Sequence, residues 1–286
     1  MAAQGPVVVV HAGAGEWAEE AERALAACEQ ALAAASELLG SGGAALDAAV
    51  EAVRILESDP VCNAGTGAVL TAAGELELDA SVMDGSTLRS GAVGAMPPFE
   101  HPIDVALSVL EDGRYHLLAG EGAASFAEAR GFTRAHPDRM TTERRRTELQ
   151  QGTQSGGNTV GAVALDANGG LASATSTGGI AGTEPGRIGD TPIVGAGTYA
   201  NAAAACSCTG DGEAFARACT AFWACEHAGR GAQLACDEAL AIVRDSFQGC
   251  GGLILLDATG EVGIGRTSPR MPHGIARPGR ELVLDL

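Results

Sequence analysis

The feature that most constrains this chain is a pair of small-residue runs, 159–166 and 171–177, joined by Asn168-Gly169-Gly170. The first alternates as a strand does, Asn-Gly-Gly is turn chemistry, and the second reads as the returning strand. The segment therefore predicts an antiparallel hairpin. Both runs are built mainly from Ala, Gly, Ser, Thr and Val. Aromatic residues are only 3 % of the 286 residues, whereas glycines number 41. Such a chain buries surface by bringing backbone layers close together rather than by packing large rings. With 46 % hydrophobic and 19 % charged residues it is too apolar for a disordered chain.

Elsewhere the pattern predicts a strand at 6–11, a Gly-rich turn at 12–15, and helices at 16–39 and 44–56. A dense loop spans 57–67, and a hairpin is expected over 68–82 with Ala73-Gly74 as its turn. Strands at 90–96 and 114–118 and helices at 102–110 and 123–130 follow. The stretch 134–158 carries Arg134, Arg139, Arg144, Arg145 and Arg146 among polar residues and reads as a loop or linker. Strands at 194–201 and 205–212, helices at 213–228 and 233–247, and strands at 252–257, 261–266 and 281–285 complete the chain. Helices in both halves and strands in hairpins predict an antiparallel, layered α+β arrangement rather than repeating βαβ units.

Eighteen basic residues, all Arg, face 36 acidic ones for a formal net charge of −18. That excludes nucleic acid and anionic membranes as partners, since no basic footprint exists. No run approaches the ~20 apolar residues of a membrane span. Residues 1–15 lack a basic n-region and a long apolar core, so no export leader is expected. None of the 8 cysteines sits in a C-x-x-C pair or at zinc-finger spacing from a histidine. A cytoplasmic protein with reduced, unligated thiols is the expectation. The 194–200 run matches G-x-G-x-x-A, but no helix opens after it and no βαβ unit surrounds it. No G-x-S-x-G elbow occurs.

The chemistry points to Thr159. A Thr hydroxyl is a weak nucleophile that needs a base, and no His or Lys lies near it in sequence. If the chain is cut before Thr159, the new α-amine, with a pKa of about 8, can take the hydroxyl proton itself. The β-branch restricts χ1 and helps hold the hydroxyl. A polar stretch ending at a strand that begins with Thr is the required arrangement. An ordinary strand threonine fits the spacing equally well.

Specific motifs go further. Thr-Val-Gly-Ala-Val-Ala-Leu-Asp at 159–166 and Ala-Thr-Ser-Thr-Gly-Gly at 174–179 resemble the core of the plant-type asparaginase / isoaspartyl peptidase family of N-terminal-nucleophile hydrolases. Pro-Gly-Arg-Ile-Gly-Asp at 185–190, Val-Gly-Ala-Gly-Thr-Tyr-Ala-Asn at 194–201 and Cys208-Thr209-Gly210 also match. So do Val-His-Ala-Gly-Ala-Gly at 10–15, Asn63-Ala64-Gly65 and Leu-Asp-Ala-Ser-Val-Met-Asp-Gly at 78–85. The resemblance covers nearly the whole chain and is weakest over 134–158 and after Arg266.

The resemblance implies a four-layer αββα sandwich with two antiparallel sheets between helix layers. It implies autocleavage between Asn158 and Thr159, giving an α subunit, 1–158, ending in the 134–158 linker, and a β subunit, 159–286, assembled as (αβ)2. By the same resemblance Thr159 is the nucleophile, Thr177 orients it, and Thr209 with Gly210 forms the oxyanion hole. Arg187 clamps the substrate carboxylate, Asp190 its amine, and Gly212 and Asn63 line the pocket. The substrate implied is L-asparagine or a β-aspartyl dipeptide, with no catalytic cofactor. A structural sodium ion is implied on the backbone carbonyls of Leu56, Glu57, Asp59, Cys62, Ala64 and Thr66. Relatives acting on glycosylated asparagine, or an uncleaved non-enzymatic scaffold, are the alternatives. The chain departs from the family pattern at Ala12, Asn158 and Asp211.

Overall fold

Strand alternation sorts the side chains into two buried sets, and that sorting builds the fold. The computed structural model describes residues 5–18, 20–152 and 158–286. In chain order the elements are β1 Val7–His11, α1 Ala21–Gly40, α2 Ala45–Ser58, β2 Leu78–Asp84, β3 Arg89–Met96, α3 Pro102–Asp112, β4 Leu117–Ala119 and α4 Gly120–Glu128. Then come α5 Pro137–Met140, α6 Glu143–Gln151, β5 Val160–Leu165, β6 Leu171–Thr177, β7 Thr198–Ala200 and β8 Ala204–Gly210. The chain ends with α7 Gly212–Ala218, α8 Thr220–His227, α9 Ala232–Phe247, β9 Gly251–Asp257, β10 Val262–Arg266, β11 His273–Ala276 and β12 Val283–Asp285.

An 8-stranded sheet runs β12-β11-β1-β5-β6-β2-β3-β4, and a 4-stranded sheet runs β10-β9-β8-β7. Val8, Val10, Val160, Ala162, Ala164, Ala172 and Ala174 point to one face, where they pack with α1, α2 and α3. Their neighbours Val7, Val9, Val163, Leu165 and Leu171 point the other way and meet Ala205, Ile254 and Leu256 of the second sheet. The outer face of that sheet is covered by α7, α8 and α9 through Phe215, Ala224, Cys236 and Leu240. Four layers result, helix–sheet–sheet–helix, as the resemblance implies. Strands buried on both faces explain why alanine and glycine dominate them. All strand pairs are antiparallel except β3 with β4, which run parallel. Among the described residues no helix is long and apolar enough to cross a membrane.

The structure corrects several expectations. No hairpin forms over 68–82, because both edges of β2 are taken by β3 and β6. Residues 71–75 do turn, but Ala72 N–H donates to Thr183 O at 2.8 Å and Gly182 N–H to Leu70 O at 2.9 Å. The segment thus pairs with the loop after β6. The 134–158 stretch is not a structureless linker, since α5 and α6 lie within it; residues 153–157 fall outside the described residues. Met140 packs into a cluster with Ala68, Leu70, Leu76 and Leu78. Arg145 is buried, its Nε donating to Gly67 O at 2.7 Å.

The first helix begins at Ala21 rather than at 16. Gly15 pairs with Arg270, and the Trp17 indole N–H donates to Gly13 O at 2.7 Å, so 12–18 is tied to neighbouring chain. The expected helix 213–228 breaks at Cys219, whose φ is +48°. Beyond the break, Ala221 and Phe222 N–H groups bond to the carbonyls of Ala196 and Gly195. Those tertiary bonds outweigh the cost of a left-handed non-glycine residue. Strand β7 is shorter than the predicted 194–201, and β11 had no sequence counterpart.

Candidate active site

Register brings Thr159 and Thr177 together. Val160 pairs with Ser176 in the β5–β6 ladder, so Thr159 stands opposite Thr177 at the ladder's end. Both are buried, and Thr159 Oγ1 donates to Thr177 Oγ1 at 3.1 Å. The Thr177 hydroxyl also accepts from Gly179 N–H at 3.0 Å, which fixes its own position. Asn63 clips the same turn in place. Its Nδ2 donates to Gly179 O at 2.8 Å, its Oδ1 accepts from Val69 N–H at 2.9 Å, and its carbonyl accepts from Gly178 N–H. Asn158 lies against Gly13 and Gly15, where a Cβ on Gly13 would fall 2.5 Å from the Asn158 Cα. Only glycine there, at φ +109°, leaves room for the backbone before Thr159.

Thr209 closes β8 of the second sheet and accepts a hydrogen bond from Ala14 N–H at 3.1 Å. Gly210 has φ +139°, and a Cβ on it would lie 2.4 Å from Cys250 O. Only glycine fits this left-handed turn at the end of β8. His11 is wholly buried between the sheets and contacts Ser207 Oγ at 3.0 Å, which in turn contacts Thr175 Oγ1 at 2.8 Å. Burial pushes the imidazole down to about 3, against a backbone hydrogen bond at Thr159 that favours the cation. At neutral pH the ring is uncharged and ties β1, β5 and β8 together without supplying charge.

The charged residues converge at Gly212, the first residue of α7. A Cβ there would lie 2.9 Å from Arg187 Nη2 and 3.0 Å from Asp190 Oδ1. Arg187 is held by Glu213, with Nε to Oε1 at 2.9 Å and Nη2 to Oε2 at 2.6 Å. Asp190 is buried, and its Oδ2 has no hydrogen-bond partner among the described residues. Burial raises its carboxyl to about 7, opposed by Arg187. Asp79, opposite Thr177 on β2, is raised to about 6 by burial and accepts from Ala95 N–H at 2.7 Å. The site therefore pairs a fork of donors with an unsatisfied carboxylate on either side of a glycine floor.

The loop after α2 is a set of inward carbonyls. Leu56, Glu57 and Asp59 carbonyls accept from the N–H groups of Asp59, Thr66 and Cys62. Pro60 O and Cys62 O lie 2.5 and 2.7 Å from where a Cβ on Gly67 would be. Backbone carbonyl oxygens of this kind are hard donors, the type that suits a hard cation. Behind it the buried Glu57 carboxylate accepts from Ile103 N–H at 3.1 Å and faces His101 Nδ1 at 3.5 Å. Burial raises the Glu57 carboxyl, and the pairing with Glu57 raises His101.

A family profile described as asparaginase matches residues 4–158 and 149–280. The chain belongs to the asparaginase family. It is 40 % identical over 284 residues to an isoaspartyl peptidase of Salmonella typhimurium, covering 90 % of this chain and 91 % of that one. An isoaspartyl peptidase of Escherichia coli is 39 % identical, with 90 % and 88 % covered. An isoaspartyl peptidase/L-asparaginase of Homo sapiens is 39 % identical, with 96 % and 94 % covered.

For this asparaginase-family chain, the residues singled out from sequence fall into three local groups. Thr159 touches Thr177, Thr209 and Gly210 end the facing strand, and Arg187, Asp190 and Gly212 meet. Three participants were not foreseen: Glu213 on Arg187, His11 beneath the strand that follows Thr159, and Asp79. The spacing of Glu213 one residue past Gly212, in the first turn of a helix, was the available hint. The cysteines are free; Cys219 and Cys250 are exposed and the other six buried. Among the described residues no His/Cys/Asp/Glu cluster would hold a metal ion.

Proposed function

We propose that this chain cleaves itself before Thr159 and then hydrolyses the side-chain amide of L-asparagine and of isoaspartyl peptides. The observation that carries the reading is the buried Thr159 hydroxyl at the head of β5, hydrogen-bonded to Thr177. In self-cleavage Thr159 Oγ1 attacks the Asn158 carbonyl, the peptide C–N bond breaks in favour of an ester, and water hydrolyses the ester. The freed α-amine then serves as the base, with a pKa of about 8. It takes the hydroxyl proton as Oγ1 attacks the substrate's side-chain carbonyl.

The developing oxyanion is stabilised by Thr209 Oγ1 and Gly210 N–H, donors of a kind worth about 3–4 kcal/mol each at a transition state. The leaving amine departs with the proton, and water releases aspartate from the ester. Arg187 suits the substrate α-carboxylate, because its fork matches a carboxylate as lysine does not. Asp190, unsatisfied and buried, suits the α-ammonium. The processed halves would assemble as (αβ)2, no cofactor takes part in the chemistry, and the carbonyl loop at 56–66 would hold a structural sodium ion. A cytoplasmic location fits the thiol-rich interior.

Purified protein should run as two chains, the smaller beginning Thr-Val-Gly-Ala, and should cleave β-Asp-Leu but not α-Asp-Leu. Thr159→Ala should stay a single chain and lose at least about 10⁴-fold in activity, as loss of a covalent nucleophile does. Cleavage at this bond in the alanine variant would end the nucleophile assignment.

A further inference from the structure

A cleft of about 370 Å³ opens beside the oxyanion corner, lined among others by Ala14, Glu16, Ile180, Gly210, Asp211 and Cys250. Ala14 is the residue whose N–H holds Thr209 Oγ1, so the cleft starts at the reacting carbonyl. The clamp residues Arg187 and Asp190 meet at Gly212, the next residue after Asp211, and do not line this cleft. On a planar amide the leaving nitrogen points away from the carbon that carries the α-amine and α-carboxylate. With those groups at Arg187 and Asp190, the leaving group enters this cleft.

The cleft carries two carboxylates and no basic residue. Asp211 is partly exposed and caps α7 weakly, its Oδ1 accepting from Ala214 N–H at 3.4 Å. Glu16 is exposed at the rim. Neither forms an ion pair with a described residue. Two arginines border the cleft without lining it: Arg266 donates to the carbonyls of the lining residues Ser268 and Pro269, and Arg270, paired with Gly15, donates to those of Trp17 and Ala18, so both are held by neutral acceptors.

We propose that this cleft is the leaving-group subsite and that Asp211, assisted by Glu16, selects β-aspartyl peptides whose second residue is cationic. The proposal rests on the function given above and deepens it. A partly exposed charge pair changes affinity by up to about fivefold, so exchanging attraction for repulsion moves a ratio by about tenfold.

The test compares kcat/KM of the processed enzyme on β-Asp-Lys, β-Asp-Leu and β-Asp-Glu. The expected order is Lys above Leu above Glu, with a Lys-to-Glu ratio of about tenfold at low salt that contracts as ionic strength rises. Asp211→Asn keeps an oxygen for the helix cap and should bring the ratio to within about threefold, the residue of Glu16's contribution. Glu16→Gln, outside the cap, should lower it partway. Equal rates on the three peptides in the wild type, or a ratio untouched by both variants, would overturn the subsite. Failure of the wild type on all three peptides and on asparagine would overturn the proposed function with it.

Discussion

The Thr159 end of the site is buried and the Arg187–Asp190 end partly so, and they are satisfied in opposite ways. Around Thr159 the groups are neutral, and the hydroxyls find partners: Thr159 on Thr177, Thr177 on Gly179 N–H, Thr209 on Ala14 N–H, while Asn158 Oδ1 has none among the described residues. Around Gly212 the groups are charged and incompletely matched. Asp190 Oδ2 has no partner among the described residues, and Arg187 leans on Glu213, itself largely exposed. A neutral network can be completed within the fold because a hydrogen bond satisfies a hydroxyl outright. A buried charge needs an opposite charge, and here that charge would arrive with the substrate. The first end is neutral and largely satisfied within the fold, whereas the second keeps an unpartnered carboxylate oxygen.

The sharpest way to break this contrast is to disturb one side of the clamp at a time, by removing the substrate's charge or by changing the geometry of the protein's. N-acetyl-asparagine leaves Asp190 without an ammonium, and Arg187→Lys replaces a fork by a point charge. Breaking a buried pair costs about 3–5 kcal/mol, so N-acetylation should lower kcat/KM by about two to three decades, and Arg187→Lys, which keeps the charge but loses the fork, by less. Arg187→Lys should nevertheless still cleave itself, as the substrate carboxylate takes no part there. Equal rates on asparagine and its N-acetyl derivative would show that the clamp is not charge-driven.

Thr177→Val probes the neutral end. The isostere keeps the packing but loses the oxygen that receives Thr159 Oγ1 and Gly179 N–H. A misplaced nucleophile costs roughly 10²-fold, and the loss should fall on kcat with KM little changed. A change confined to KM would mean that Thr177 belongs to binding rather than to orientation.

The smallest effect is in pH. Asp190 must be ionised to accept an ammonium, and burial raises it to about 7. Its kcat/KM profile for asparagine should therefore rise through neutral pH. The stability sign is the reverse. A carboxyl raised in the fold from an unfolded value of about 4 contributes stability that is present at low pH and lost as pH rises through about 7. Asp190→Asn should accordingly gain in Tm relative to wild type between pH 5 and pH 8. A constant difference in Tm across that range would refute the raised carboxyl.

Legibility followed the range of the interaction. The hairpin holding Thr159 and Thr177 was readable because turn residues and alternation are local, and register then made the two meet. The clamp residues were readable by resemblance, yet Glu213 as the partner of Arg187 was not, since the two are joined only when α7 swings beside the 185–190 loop. The stretch 134–152 misled for a related reason. Its composition is that of a loop, but Met140 fills an apolar cluster and Arg145 ties α6 to Gly67 O.

By itself the sequence determined the small-residue strands, the turns between them, the order of the motifs and the threonine at a strand's head. These depend on periodicity, turn chemistry and residue type, all of which act over a few residues. The tertiary structure alone decided that 68–77 pairs with the loop after β6, that Cys219 breaks a helix, and that β11 joins β1. It alone set His11 neutral between the sheets and left Asp190 unsatisfied. Each of those outcomes is a competition among partners far apart in the chain, settled by which edges and charges the assembled layers leave free.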